Sequence, residues 1–392
     1  MINVAIIGCG HGGQALAADL SQKGCKVSLY AHPDHPGGIA AIAKARGIQG
    51  KGLINQFVPI ARVTTDLQQA MEQSEYIFLV LPSYAHEAMF IEMLPYLKPG
   101  QTVITLAANF ASLSYLKLLE KTGKMADIDM IDIASLPYVC RSDNAGTVEI
   151  IAVKKKLAVA SIPAAAIHKH IRKLGPVFPC QMITYQDVLS LGMNITSGMT
   201  HPAITLLNAG RIGKGKEVFY FYKDGITPEI ASVIERLDAE RLRIGQRLGL
   251  EMYEYLDLMA EYYGTRYESV YQFFRESPAH NALPLCPSSL QERYITQDVA
   301  GLMVPWYGLG KLVHSESFVM GNLINIASLL NNTNYLRTGL NLARLNLHDK
   351  TIEEIMQYVT YGRLSASLSP YDICSGHLKQ PACQTTCFGN VA

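Results

Sequence analysis

Residues 3–13 read NVAIIGCGHGG, a short apolar run followed at once by glycines at Gly8, Gly10 and Gly13 with an additional one at Gly12. The spacing is GxGxxG, and each position has a physical task. Val4 to Ile7 forms a buried strand, Gly8 makes the tight turn, Gly10 lets backbone approach a pyrophosphate, and Gly13 permits close helix–strand packing. A helix beginning here offers unpaired N–H groups and partial positive charge to an anion. The flanks agree with this reading. Leu16 and Leu20 lie one turn apart in the run Gln14 to Lys23, Gly24 is placed to close the helix, and Val27 to Tyr30 reads as the next strand. A dinucleotide site at Gly8, Gly10, His11, Gly12 and Gly13 is the expectation, against a plain structural strand-to-helix joint.

Past the second strand an NAD site usually carries Asp or Glu for the ribose hydroxyls, whereas this chain has Ala31 followed by His32. A 2′-phosphate meets no repulsion there, which tilts the expected cofactor from NAD toward NADP, although no arginine stands ready to clamp it. Glu75 to Leu81, EYIFLVL, is an apolar run ending at Pro82, as expected of a central strand covered on both faces. A helix over Tyr84 to Leu97 and a strand over Thr102 to Leu106 follow. The alternation continues through Leu113 to Glu120, Met130 to Ala134, Val148 to Val153 and Leu157 to Ile162. This order predicts an α/β fold, a Rossmann-type doubly wound parallel sheet with right-handed crossovers. The loops Pro82 to His86 and Ala107 to Asn109 would line the cofactor crevice, with Pro82 on the cofactor side and His86 a helix-start residue.

From about Gln186 apolar residues recur at helical spacing, as at Ile230, Val233, Ile234 and Leu237, and Thr227-Pro228 opens that helix as cap and first-turn proline. The expected domains are a dinucleotide-binding unit over 1–185, an all-α C-terminal substrate and catalytic domain over 186–361, and a flexible tail over 362–392. Cys374, His377, Cys383 and Cys387 in that tail lack a CxxC pair, so no metal is expected. With 392 residues, 17% charged and a formal net charge of +1, nothing favours nucleic acid as a partner. Neither a signal peptide nor a membrane span is visible, so a cytoplasmic protein with reduced thiols is expected, Cys9 lying inside the glycine loop itself.

Reduction of a carbon–nitrogen or carbon–oxygen double bond needs a near-neutral proton donor, a group to orient it and a substrate anchor. Asn194, Ser197 and His201 are spaced by three and four in GMNITSGMTHPAITLLNAGRI, and Arg293 and Asp298 lie in SSLQERYITQDVAG. His201 can exchange a proton, Asp298 can fix its tautomer, and Arg293 can hold a carboxylate by two parallel bonds. The competing readings are a structural histidine and a surface ion pair between Arg293 and Asp298. The tyrosines and phenylalanines from Tyr253 to Phe274 read mainly as helix packing, and Lys214, Lys216 and Lys223 beside Arg211 as a solvated face.

Several stretches together resemble the opine dehydrogenases, which include octopine dehydrogenase and the bacterial carboxyethyl-norvaline dehydrogenase. They are the glycine loop, SLPYVCR at Ser135 to Arg141, AVKKKLAVASIP at Ala152 to Pro163, THPAITLLNAGRI at Thr200 to Ile212 and ERYITQDVAGLMVP at Glu292 to Pro305. The resemblance implies condensation of an amino acid's amine with a 2-oxo acid and reduction of the resulting imine. It assigns His201 as acid/base, Asp298 as its partner, and Arg293, Ser197 and Asn194 to the substrate side. Ser197 stands where the family often has Asn, and a hydroxyl supplies only part of an amide's bonding. A 2-hydroxyacid or glycerol-phosphate type dehydrogenase, or a non-catalytic nucleotide sensor, is the competing function. The relatives of the first kind generally use a lysine acid, and Gly192 to Ile212 has none before His201. A homodimer is left open as the assembly.

Overall fold

The computed structural model describes residues 1–123, 128–214, 219–282 and 286–364; the tail cysteines and histidine singled out above, and Lys216, lie outside them. The first half of the chain runs β1 (Asn3–Ile7), α1 (His11–Gln22), β2 (Lys26–Tyr30), α2 (Ile39–Ala45), β3 (Gly47–Gly52), β4 (Phe57–Pro59), β5 (Arg62–Thr64), α3 (Leu67–Met71), β6 (Tyr76–Leu79), α4 (Ser83–Met93), β7 (Thr102–Leu106), α5 (Ala111–Thr122), β8 (Asp129–Ile133), β9 (Tyr138–Ser142), β10 (Thr147–Val153), β11 (Lys156–Ile162), α6 (Ile167–Leu174) and β12 (Gln181–Thr184). Every residue of β6 and β7 is buried, because helices cover both faces of the sheet. One apolar core lies on the α4 and α5 side and continues into the C-terminal helices, and a second lies on the α1 side.

The main sheet has eight strands in the order β12-β11-β8-β7-β6-β1-β2-β5. From β5 to β8 all neighbours are parallel, the doubly wound arrangement predicted from alternation. Two expectations need correction. Leu157 to Ile162 lies in β11, which runs antiparallel to β8, with β12 parallel to β11. The chain between β8 and β11 is spent on a β9–β10 hairpin instead of the crossover helix a parallel return requires. Val148 to Val153 belongs to a separate four-stranded sheet, β4-β3-β10-β9. The hairpin turn explains it: Asp143 accepts from the Ala145 and Thr147 N–H groups, each at 2.9 Å, and Gly146 takes φ +87°. β10 accordingly alternates buried and exposed residues, a half-covered strand.

After β12 no strand follows among the described residues. The helices are α7 (Val188–Met193), α8 (Ser197–Leu207), α9 (Ala209–Ile212), α10 (Pro228–Arg247), α11 (Tyr255–Tyr263), α12 (Val270–Glu276), α13 (Pro278–Asn281), α14 (Arg293–Thr296), α15 (Val304–Leu312), α16 (Phe318–Leu330), α17 (Tyr335–Thr338) and α18 (Ile352–Tyr361), with a π-helical turn at Val299–Met303. Thr227 caps α10 by accepting from the Ile230 N–H, as its sequence predicts. The two halves interlock closely. A Cβ on Gly192 of α7 would sit 2.2 Å from the Phe110 ring before α5, and Glu87 of α4 pairs with Arg344 at 2.5 Å. No helix among the described residues is long and apolar enough to cross a membrane.

Candidate active site

The glycine loop joins β1 to α1 as a cradle. Gly8 takes φ +120°, reserved in practice for glycine, and a Cβ there would lie 2.4 Å from the Val80 carbonyl oxygen. At Gly13 a Cβ would come within 1.8 Å of the Gly8 oxygen, so helix and turn pack backbone to backbone. Gly10 is different: apart from its chain neighbours and its own helix, none of the described residues lies within 4 Å of its Cβ position. It is the helix N-cap, and no side chain caps the first turn of α1. Open space facing uncapped N–H groups fits a dinucleotide pyrophosphate. His11 accepts from the Ser142 N–H and hydroxyl, each 2.9 Å away, and so ties α1 to β9. Ala31 is fully buried, while His32 has Glu92 at 3.6 Å and Asp34 at 3.7 Å. Pro82 caps α4 in extended backbone at the end of the β6 run.

Asp298 and His201 meet across α8 and the π-helical turn. Gly198 allows this approach, since a Cβ there would lie 2.7 Å from the Trp306 ring and 2.8 Å from Leu302. Asp298 is the residue just before the π turn, a helix irregularity that often re-aims functional side chains. Its Oδ2 accepts from His201 Nδ1 at 2.7 Å, and its Oδ1 from the Ser197 hydroxyl at 3.0 Å. A carboxylate can only accept, which places the His201 proton on Nδ1 and leaves Nε2 as the exchanging nitrogen. The Tyr222 hydroxyl donates to Nε2 at 2.9 Å, and the imidazole stacks on Tyr294 with ring centroids 4.1 Å apart.

The helical domain matches the family model described as NAD/NADP octopine/nopaline dehydrogenase, alpha-helical domain, over residues 184–331. Residues 3–130 match the N-terminal model of NAD-dependent glycerol-3-phosphate dehydrogenase. An opine dehydrogenase of Arthrobacter sp. (strain 1C) is 29% identical over 358 residues, 91% of this chain and 98% of that protein. The chain is similar to the opine dehydrogenases along nearly its whole length. Solved octopine dehydrogenase with NADH and L-arginine shares the fold at TM-score 0.73 and 18% identity, over 93% of this chain and 98% of that one. NADP+-bound yersinopine dehydrogenase does so at TM-score 0.66 and 17% identity, over 92% and 98%.

Within this site the residues read from sequence separate into two groups. His201, Asp298 and Ser197 form one hydrogen-bonded chain. Arg293 is exposed at the start of α14, with its guanidinium 5.7 Å from the Tyr294 ring centroid, and has no ion-pair partner among the described residues. It therefore does not form the ion pair with Asp298 that its spacing suggested. Asn194 departs from the expected substrate side. It is buried, its Nδ2 donates to the Ser190 and Glu251 carbonyls at 2.9 and 3.0 Å, and its Oδ1 accepts from Arg241 and the Tyr253 N–H at 3.2 and 3.0 Å. Its amide is used up bracing the α7–α8 joint. Sequence reasoning passed over Tyr222, Tyr294 and Lys154. Lys154 is solvent-accessible, donates to the Ser135 hydroxyl at 2.6 Å, and is pushed down to about 8 by desolvation, with Cys180 opposing and the Arg293 charge assisting. The only signals for these residues were membership of FYFY at 219–222, of the ERY motif and of a KKK run.

Proposed function

We propose that this protein is an NAD(P)H-dependent opine dehydrogenase, joining the amine of an amino acid to a 2-oxo acid and reducing the imine to an N-(carboxyalkyl) amino acid, reversibly. The observation that carries it is the Asp298–His201 pair beside an exposed arginine. When bound in the glycine loop, the reduced nicotinamide supplies the hydride. Residues Gly8, Gly10, His11, Gly12 and Gly13 would hold it, with Ala31, His32 and Pro82 along its length. Ala31 leaves a 2′-phosphate unopposed at that position, while Asp34 and Glu92 beside His32 favour the unphosphorylated ribose, so both cofactors fit.

His201 takes a proton from the amine as it adds to the oxo carbon, and returns one to the departing oxygen so that water leaves and the imine forms. Asp298 holds the imidazole in the required tautomer and steadies its charged form; Ser197 acts through Asp298, not by touching substrate. Arg293 holds the oxo-acid carboxylate through its planar fork. Lys154 faces the site from the other domain and meets a second carboxylate, which an amino acid brings and a simple hydroxyacid does not. The reading of an acid lysine does not arise, since Lys154 is engaged by Ser135 and His201 carries the orienting carboxylate. We place the protein in the cytoplasm, where reduced nicotinamide is held. We also assign it a homodimer through the outer face of α16, where Phe318, Ile326, Leu329 and Leu330 are exposed.

Crossing a panel of amino acids with 2-oxo acids, while following loss of NADPH and NADH, tests the reaction. Consumption only when both partners are present is expected. Equal consumption with an oxo acid alone would replace it with a hydroxyacid dehydrogenase. Light scattering of the purified protein tests the dimer.

A further inference from the structure

The environment of His201 raises a question about the route of its proton. Both ring nitrogens are taken by protein groups, Nδ1 by Asp298 at 2.7 Å and Nε2 by Tyr222 at 2.9 Å. A proton leaving Nε2 must either wait for Tyr222 to move aside or pass through its hydroxyl. The ring is pinned. It stacks on Phe274 with centroids 5.0 Å apart and planes 3° from parallel, and meets Phe221 and His280 edge-on at 4.9 Å each. Phe221 and Phe274 are themselves buried, so swinging Tyr222 out would open a cavity in the core. The imidazole is pinned too, with Tyr294 against its face and Asp298 on its other nitrogen. A hydroxyl suits transfer because it donates to neutral Nε2 and accepts from protonated Nε2 by rotating its O–H bond alone.

We propose that the Tyr222 hydroxyl relays the proton exchanged between His201 and the reacting substrate. In the dehydrating step the Nε2–H proton moves to the phenol oxygen as the phenol O–H proton moves to the hydroxyl of the amine adduct. The C–O bond breaks with its electron pair, water leaves, and the nitrogen lone pair forms the C=N bond. The phenol is regenerated and the imidazole is left neutral. Before this the ammonium form of the amine gives one proton to Nε2, and as the free amine adds to the carbonyl its second proton passes through the phenol to the alkoxide oxygen, making the adduct hydroxyl, so no net proton stays on Tyr222. Burial keeps the phenol well above its ordinary value, so it remains O–H throughout.

The relay rests on the reading of His201 as acid/base, and the experiment separates the two. Single-turnover reduction is followed at pH 7 with NADH and a productive amino acid and oxo acid pair. Four proteins are compared: the wild type, His201→Ala, Tyr222→Phe and Tyr222→3,5-difluorotyrosine. Tyr222→Phe should slow the turnover by about 10²-fold, with NADH affinity by fluorescence titration unchanged. The fluorinated residue keeps ring and hydroxyl but makes the phenol more acidic, so its rate should depart from wild type, whereas a packing role leaves it unmoved. Wild-type rates in either Tyr222 variant overturn the relay while leaving His201 in place. Should Tyr222→Phe fail to fold, the fluorinated variant decides alone. A folded His201→Ala that keeps its rate removes the acid/base assignment itself.

Discussion

Asp298 serves two donors at once, His201 on one oxygen and Ser197 on the other, so its substitution and that of His201 should differ in kind. His201→Ala should lower turnover by about 10²–10⁴-fold with little effect on cofactor affinity, measured by steady-state kinetics beside NADH titration. Asp298→Asn should also lower turnover, because an amide can donate to Nδ1 and stabilise the wrong tautomer. Lys154 gives a pH dependence with a definite sign. Its ammonium is pushed down to about 8, so it is charged below that pH and neutral above it. The Michaelis constant for the dicarboxylate product in the oxidative direction should therefore rise as pH passes about 8, and Lys154→Met should show a raised constant that no longer changes there. An unaltered profile in the variant would remove Lys154 from the substrate.

At the scale of elements, the glycine loop separates binding from stability within one turn. Gly10 has open space at its Cβ position and φ −77°, so Gly10→Val should fold as the wild type does and lose cofactor binding. Gly13→Ala forces a methyl to 1.8 Å from the Gly8 oxygen and should lower stability, by about 1–3 kcal/mol as overpacking does. Thermal melts with cofactor titration distinguish the two. The α7–α8 joint depends on buried Arg241, which bonds Asp238, the Met193 and Tyr253 carbonyls and Asn194. Arg241→Met leaves the Asp238 carboxylate without its counter-charge, holding only the Tyr255 N–H, and should cost about 3–5 kcal/mol in urea unfolding. The same network explains why Asn194 was misjudged. The spacing places Asn194 with Ser197 and His201 on one helix face or on the turn leading into it, and it does end α7 on the turn before α8, but its amide is spent on Arg241 and backbone groups there.

Across the whole molecule, burial of charge sets how stability depends on pH. Asp132 lies inside the sheet, is hydrogen-bonded among the described residues by Ser112 alone, and desolvation raises its carboxyl to about 7. A group raised on folding contributes stability that is full below its unfolded value, near 3.9, and is lost as pH rises through the folded value. The melting temperature should thus fall between pH 5 and pH 8, and Asp132→Asn should flatten that fall. The sequence by itself determined the glycine turn, the parallel central strands and the change to helices after β12. These are local consequences of strand burial, turn chemistry and 3.6-residue periodicity, and they sit in continuous stretches. It also named His201 and Asp298, because the family motifs are contiguous around each. Tertiary structure alone decided the rest. The two-residue link Lys154-Lys155 sends β10 and β11 into different sheets, and Tyr222 reaches His201 from 21 positions away. Asn194 turns into the core because Arg241 waits there. Such pairings depend on which surfaces meet when helices pack, and periodicity along one segment carries no record of its partner.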